Sequence, residues 1–443
     1  MNRNYRLTLL IVVVSQLIFL QCKESLPKQN NSAHISSKVN FELQQTANFI
    51  GGLPVDSTSP WFKYTKLAQY QRYKKLIAIV WQKYYNNSLS KISHWRKTQL
   101  NDINDKVIFY PFSGPDIINP LTFFPRAKEY IMLGLERVGV VPDAKKMNPF
   151  LVRLGMQAIL PALGHILGRN YFITSDMLKK VGRSPFNGIA PLMMLFIARL
   201  DYQIIQVDKV ELNAMGKAEV TQKPKLESRF QRLQWQGKHK SKIYGVRIRF
   251  KKKGSHSIYD VKTAYFFSGD ASDTGLSKKP EFFNFILTRD KFFTLLKASS
   301  YLMFNKEFDD IRSVILARST GVLQGASGLP FHFFNNSSWN LSLYGEYFIP
   351  IRDFTGRCQP DMVKSFNNDS RGALPFSYDY HYKPGKSNMV IARRAKNNSY
   401  FSPQFDFKNK IGVDTYCIRR QFLIRKTQKS RKVINASPYK TIY

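Results

Sequence analysis

Hydrophobic positions fall into three regimes along this chain. From Leu7 to Leu20 they are almost uninterrupted. Over 23–58 they thin out in a polar stretch rich in Asn, Ser and Gln. From residue 59 onward they recur with the periods of regular structure. Ser59-Pro60 has the form of an N-cap followed by proline in the first turn. Leu67, Tyr70, Ile77 and Trp81 then follow at helical spacing, which predicts a helix over 61–85. Val107–Tyr110 is a short β-branched and aromatic run that ends in Pro111-Phe112-Ser113-Gly114-Pro115-Asp116. A short helical stretch leads to a second buried strand, Tyr130–Glu136. Residues 148–168 predict an apolar helix that Pro161 kinks or splits, and 189–200 a core element too short to span a membrane.

Further along, Tyr244–Phe250 alternates strictly and puts Arg247 and Arg249 on one face. Lys251–Ser255 supplies a turn, and Ile258–Phe267 returns as the partner strand. Residues 291–320 have a helical pattern, and Trp339, Leu341, Leu343, Tyr347 and Ile349 mark another strand. Strands alternating with helices of this size predict an α/β fold of layered sheets with flanking helices. Apolar periodicity lapses over 213–242 while Lys and Arg accumulate there. The expected organisation is therefore a 1–22 leader, a 23–58 tether, a 59–212 α/β region, a 213–242 basic connector and a 243–443 α/β region with a basic tail.

The leader changes the picture most. Arg3 and Arg6 precede the apolar run, and Gln21-Cys22 follow it. A basic head and an apolar stretch of this length have the layout of a secretory signal. With a cysteine directly behind, the segment resembles a bacterial lipoprotein signal, in which the cysteine is acylated and becomes the mature N-terminus. Gln21 stands where that family prefers a small residue, which leaves an uncleaved signal anchor as the alternative. Lys23 follows the cysteine rather than Asp, and by resemblance to the sorting of such proteins this implies the outer membrane. Two or three acyl chains, at about 0.8 kcal/mol per buried methylene, tether a protein stably. With Cys22 acylated, Cys358 and Cys417 remain, as one disulfide or as two buried thiols.

Lys and Arg number 68 against 30 Asp and Glu, a formal charge of +38, yet 43% of residues are hydrophobic, which excludes a disordered polyelectrolyte. The charge is regional. Residues 223–253 carry twelve basic residues against Glu227 alone, and 383–443 carry fifteen against Asp406 and Asp414. For an exported chain such surfaces are either solvated or dock onto anionic lipid, lipopolysaccharide or wall polymers. Arg229-Phe230, Arg232, Trp235 and Lys238–Lys242 interleave cations with aromatics as single-strand nucleic-acid binders do. No zinc finger, helix-turn-helix or ribonucleoprotein signature accompanies them, and export separates the chain from nucleic acid.

The most suggestive chemistry lies at the strand–Ser113-Gly114-Pro115-Asp116–helix junction. A glycine there lets the backbone turn, and helix amides beyond it can hold an anion. Glu136 ends the next strand at the spacing where dinucleotide- and adenosyl-binding sheets keep a ribose-binding acid. Pro115-Asp116 replaces the G-x-G-x-x-G fingerprint, so Asp116 as a helix cap and Gly114 as a turn is the structural alternative. Tyr265–Asp270 repeats the Tyr-x-Phe-Ser-Gly phrase and raises the possibility of two related Rossmann-like halves. The candidates are thus Asp116 and Asp270 as acid or base, with Ser113, Gly114 and Glu136 in binding.

Gly325-Ala326-Ser327-Gly328 is not a nucleophile elbow, because its second glycine comes one place early. The histidines, including His332 and His381 in aromatic loops, show no ligand spacing, so neither a local metal site nor a cofactor is expected.

Phe109–Asp116, Phe123-Phe124-Pro125, Tyr130–Glu136 and Ser387–Arg394 resemble a family of uncharacterised bacterial exported proteins, over about 105–395. That resemblance implies export and no particular activity. The expectation is a lipid-anchored envelope protein with a basic face, with an enzyme or former enzyme at the Ser113–Asp116 loop as the second reading and a nucleic-acid binder as the third.

Overall fold

The computed structural model describes residues 37–172, 181, 184–221, 243–334, 337–347, 359–380 and 387–395. Cys22, Cys358, Cys417 and His381 lie outside the described residues, as do most of the basic connector and all of the tail after residue 395. Ten strands form one mixed sheet: β1 Val107–Pro111, β2 Glu129–Gly134, β3 Tyr202–Leu212, β4 Ala218–Val220, β5 Tyr244–Lys252, β6 Lys262–Ser268, β7 Phe292–Leu295, β8 Ser319–Gln324, β9 Trp339–Gly345 and β10 Asn388–Arg394. Their order is β4-β3-β5-β6-β2-β1-β7-β8-β10-β9. The central five, β6-β2-β1-β7-β8, are all parallel. In order of appearance they run third, second, first, fourth, fifth, which is the doubly wound order of nucleotide-binding sheets. Antiparallel strands extend both sides, β5, β3 and β4 beyond β6, and β10 and β9 beyond β8.

Each central strand is buried on both faces, and the pleat sends alternate residues to two cores. Ile108, Tyr110, Tyr130, Met132, Ala264 and Phe266 enter one, while Phe109, Ile131, Leu133 and Phe267 enter the other. The first core is covered by α1 Phe41–Ile50, α2 Ala68–Tyr84, α3 Ser90–Gln99, α4 Ile118–Phe123, α5 Pro149–Arg169 and α6 Ile189–Arg199. The second lies under α7 Pro280–Leu287 and α8 Asp309–Arg318, and α9 Pro360–Asp369 closes a smaller cluster beside β9. These described residues from Lys38 onward belong to a single compact unit.

Several expectations change in detail. The stretch read as a tether contains α1, whose Ala47, Phe49 and Ile50 are buried, with Phe49 stacked between Trp61 and Tyr70. The predicted 61–85 helix is broken at Lys66–Leu67 and then continues through a π turn, Tyr85–Leu89, into α3. Pro161 does not split α5, which is one continuous helix; the carbonyl that proline leaves without a donor belongs to Gln157, on the exposed face. By length and composition α5 is apolar enough to cross a bilayer, yet Val152, Met156, Ile159, Leu163 and Ile166 bury one side of it in the sheet core.

The helix predicted over 291–320 is instead β7, two 3-10 turns, α8 and β8. Phe292–Leu295 is buried on both faces and therefore carries no period by which to read it. The stretch 213–242 joins β3 to β5, which pair with each other, so the regions on either side of it share one sheet. The two Tyr-x-Phe-Ser-Gly phrases end β1 and β6, the first and third parallel strands, rather than corresponding places in two halves.

The two-core arrangement predicts a sharp contrast in stability. Phe266→Ala, fully buried in β6, is expected to lose about 3–5 kcal/mol. Tyr259→Ser, 80% exposed on the turn before β6, is expected to stay within about 0.5 kcal/mol. Denaturant midpoints read both, and equal losses would contradict the assigned faces.

Candidate functional site

In a doubly wound sheet ligands bind beyond the carboxyl ends of the strands, where the chain order reverses. Here that point lies between β1 and β7, and it is bounded by the loops after β1, β2 and β7. The β1 loop turns through two left-handed residues, Phe112 (φ 57°) and Gly114 (φ 53°). Gly114 also faces Glu136, and a Cβ added there would sit 3.5 Å from its carboxylate. Glu136 is buried at the end of β2 and folds back over Gly134, where a Cβ would lie 2.5 Å from Oε2. The sequence-predicted Ser113, Gly114, Asp116 and Glu136 therefore do converge on one place.

What they enclose is small. A cavity of about 20 Å³ remains among Phe112, Gly114, Glu136, Tyr171, Phe172 and Ala298. One water needs about 10–15 Å³, whereas small-molecule sites occupy about 300–1,000 Å³. Among the described residues, side chains fill the crevice.

Asp116 is the centre of that filling. Its Oδ2 accepts from the Tyr110 hydroxyl at 3.0 Å, from Asn119 Nδ2 at 2.8 Å and from Lys297 Nζ at 3.0 Å. Its Oδ1 accepts from the Asn119 amide at 3.2 Å and from Nδ2 at 2.8 Å. The anion position at the start of α4 is thus held by the protein's own carboxylate. Ser113 is likewise engaged, its hydroxyl directed at the carbonyls of Gly114 and Leu133. Asp270 does not join the group. It is exposed beyond β6 and accepts from the Ser272 amide in a local turn.

Sequence reasoning missed the residues that close the site. Lys297 follows β7, is 1% exposed, and reaches Asp116 and, at 3.3 Å, Asn170 Oδ1. Asn170 ends α5 in the left-handed conformation and donates to the Ser377 carbonyl. Asp379, fully buried at φ 61°, accepts from the Ala298 amide at 2.7 Å and from the Ser327 hydroxyl, tying the β7 and β8 loops together. Gly325–Gly328 is therefore a structural turn around a Ser–Asp hydrogen bond.

Burial pushes the Tyr110 phenol well above its ordinary range, with the Asp116 charge adding to it. Tyr378 is raised in the same way, by burial and then by the charges of Asp379 and Asp116. These phenols stay protonated, as hydrogen-bond donors. Lys297 is one of five basic residues over 291–320, and nothing in their spacing marks it out.

A larger hollow of about 470 Å³ lies near Glu129, Met215, Lys217, Tyr265 and Arg289. Glu129 begins β2, so this hollow sits at the amino end of the parallel strands, away from the switch point. Two of its charged groups satisfy each other: Arg289 donates to Glu129, and its guanidinium lies 3.8 Å from the Phe285 ring centroid. The arginine face predicted on β5 is paired as well, Arg247 with Asp208 at 2.7 Å and Arg249 with Gln206 at 3.0 Å.

Lys297→Met is expected to lower stability by about 3–5 kcal/mol, because it strands a buried carboxylate. Asp116→Asn combined with Lys297→Met is expected to recover a substantial part of that loss. Denaturation of this double variant and of both single variants measures it, and strictly additive losses would show the pair to be uncoupled.

Compared with family models, curated proteins and solved structures, the chain matches none.

Proposed function

We propose that this chain is a lipid-anchored protein of the cell envelope, acylated at Cys22 and carried to the outer membrane, whose α/β body is a non-catalytic scaffold. The observation that carries the second half is the water-sized cavity at the switch point of the sheet. Asp116, the candidate acid or base, is saturated by donors and paired with Lys297, and it offers no lone pair to a substrate proton without breaking that pair. Placement in the envelope is supported by the Arg3–Cys22 segment. Anionic lipid, lipopolysaccharide or wall polymer is the partner chemistry that the net charge favours.

A second reading is favoured by one specific observation. Glu136 stands at the end of β2 against the glycine turn, where doubly wound sheets hold a ribose. In that reading the crevice admits a nucleoside once Phe112 and Phe172 move apart.

Two measurements separate these readings. Radiolabelled palmitate is expected to enter the wild-type chain and not Cys22→Ala; equal labelling, or none in either, removes the acyl anchor. Adenosine, ATP and NAD at millimolar concentration are expected to leave the melting temperature unchanged. A saturable rise that disappears in Glu136→Gln would establish the nucleoside reading in its place, since a ligand at 100 times Kd stabilises by about 2.7 kcal/mol.

A further inference from the structure

The two helices α2 and α5 cover the same face of the sheet and leave an outward side with no neighbour among the described residues. Inward, α2 buries Tyr70, Tyr73, Ile77, Trp81 and Tyr84. Outward it presents Leu76, 49% exposed, and Ile79, 59% exposed, among Arg72, Lys75 and Lys83. On α5 the outward residues include Phe150, 55% exposed, and Leu154, with the Arg153 guanidinium 5.3 Å from the Phe150 ring centroid.

The charge of this layer has one sign. Residues 57–101 contain nine Lys or Arg and no Asp or Glu, and residues 144–169 contain four and none. Asp143, just before the second stretch, pairs with Lys146 at 3.3 Å. Mixed signs are usual on a solvated surface. This cationic layer, with a pair of exposed apolar side chains on each helix, is unlike one.

We infer that the outward face of α2 and α5 rests on an anionic lipid bilayer. Apolar side chains set among long basic ones are the pattern of an interfacial surface, where lysine and arginine stems reach headgroup phosphates and the apolar groups enter the acyl boundary. A protein partner calls for a contiguous apolar centre depleted in lysine, which this face lacks. The chain also enters the fold on this layer. Phe49 of α1 stacks on Tyr70 of α2 at 4.4 Å, and the Tyr73 hydroxyl donates to the Ile50 carbonyl. Phe41 follows Cys22 by nineteen residues, a reach of at most about 65 Å. The inference deepens the envelope reading and rests on it for the presence of a bilayer.

Hydroxyl-radical footprinting of the full chain, with vesicles of phosphatidylcholine alone or mixed with phosphatidylglycerol, tests it. Labelling of Leu76, Ile79 and Phe150 is expected to fall several-fold on the anionic vesicles only, while Tyr259, 80% exposed elsewhere, stays constant. Leu76→Glu with Ile79→Glu is expected to abolish the protection at Phe150. Running the same comparison on Cys22→Ala reads the face without its acyl chains, so failure of the anchor and failure of the face are distinguished. Equal labelling on both vesicle types overturns the inference. Protection without lipid, accompanied by a dimer in sedimentation, also overturns it by assigning the face to a second copy of the chain.

Discussion

A buried ion pair between Asp116 and Lys297 joins the loop after the first parallel strand to the loop after the fourth. Both groups are almost wholly removed from water, so each depends on the other and on the remaining donors and acceptors around them. Asn119 and Tyr110 complete the carboxylate, and Asn170 accepts from the ammonium. That arrangement joins β1, α4, the end of α5 and the start of the β7 loop. Left-handed residues at Phe112 and Gly114 turn this loop, and Asp116 beyond them accepts from Tyr110 of the strand that precedes it.

The same pair decides what the carboxyl edge of the sheet does. In the doubly wound order, β1 and β7 part where the crossovers change sides, and a crevice opens there. Among the described residues that crevice is occupied by charge, amide and phenol around a cavity of about 20 Å³. Asp379 carries the closure on to the β8 loop through Ala298 and Ser327. On the outer faces of α2 and α5, by contrast, basic side chains and exposed apolar groups coincide among the described residues.

The division between local pattern and tertiary result follows burial. Strands with one face toward polar neighbours, such as β5, announced themselves by alternation. The helices α2 and α5 declared themselves by their period or by an apolar length, whereas α6 was legible only as a buried element of unassigned type. The strand β7 and the strand β8 did not, since four to six residues buried on both faces carry no period that distinguishes strand from helix. In α1, a short amphipathic segment within polar sequence, the helix is stabilised by aromatic stacking against residues up to twenty-one positions away, which no local window contains.

The sequence by itself determined the α/β class, the glycine turn after β1, the acidic residue after β2 and the net basic charge, because composition, period and chain order are local properties. Only the tertiary structure decided that Asp116 is bound to a lysine 181 positions later, that the β5 arginines are paired, and that the crevice holds little more than a water. The physical reason is that charge and burial are resolved between elements: a carboxylate's role depends on which cation the fold sets beside it and on how much water the packing leaves.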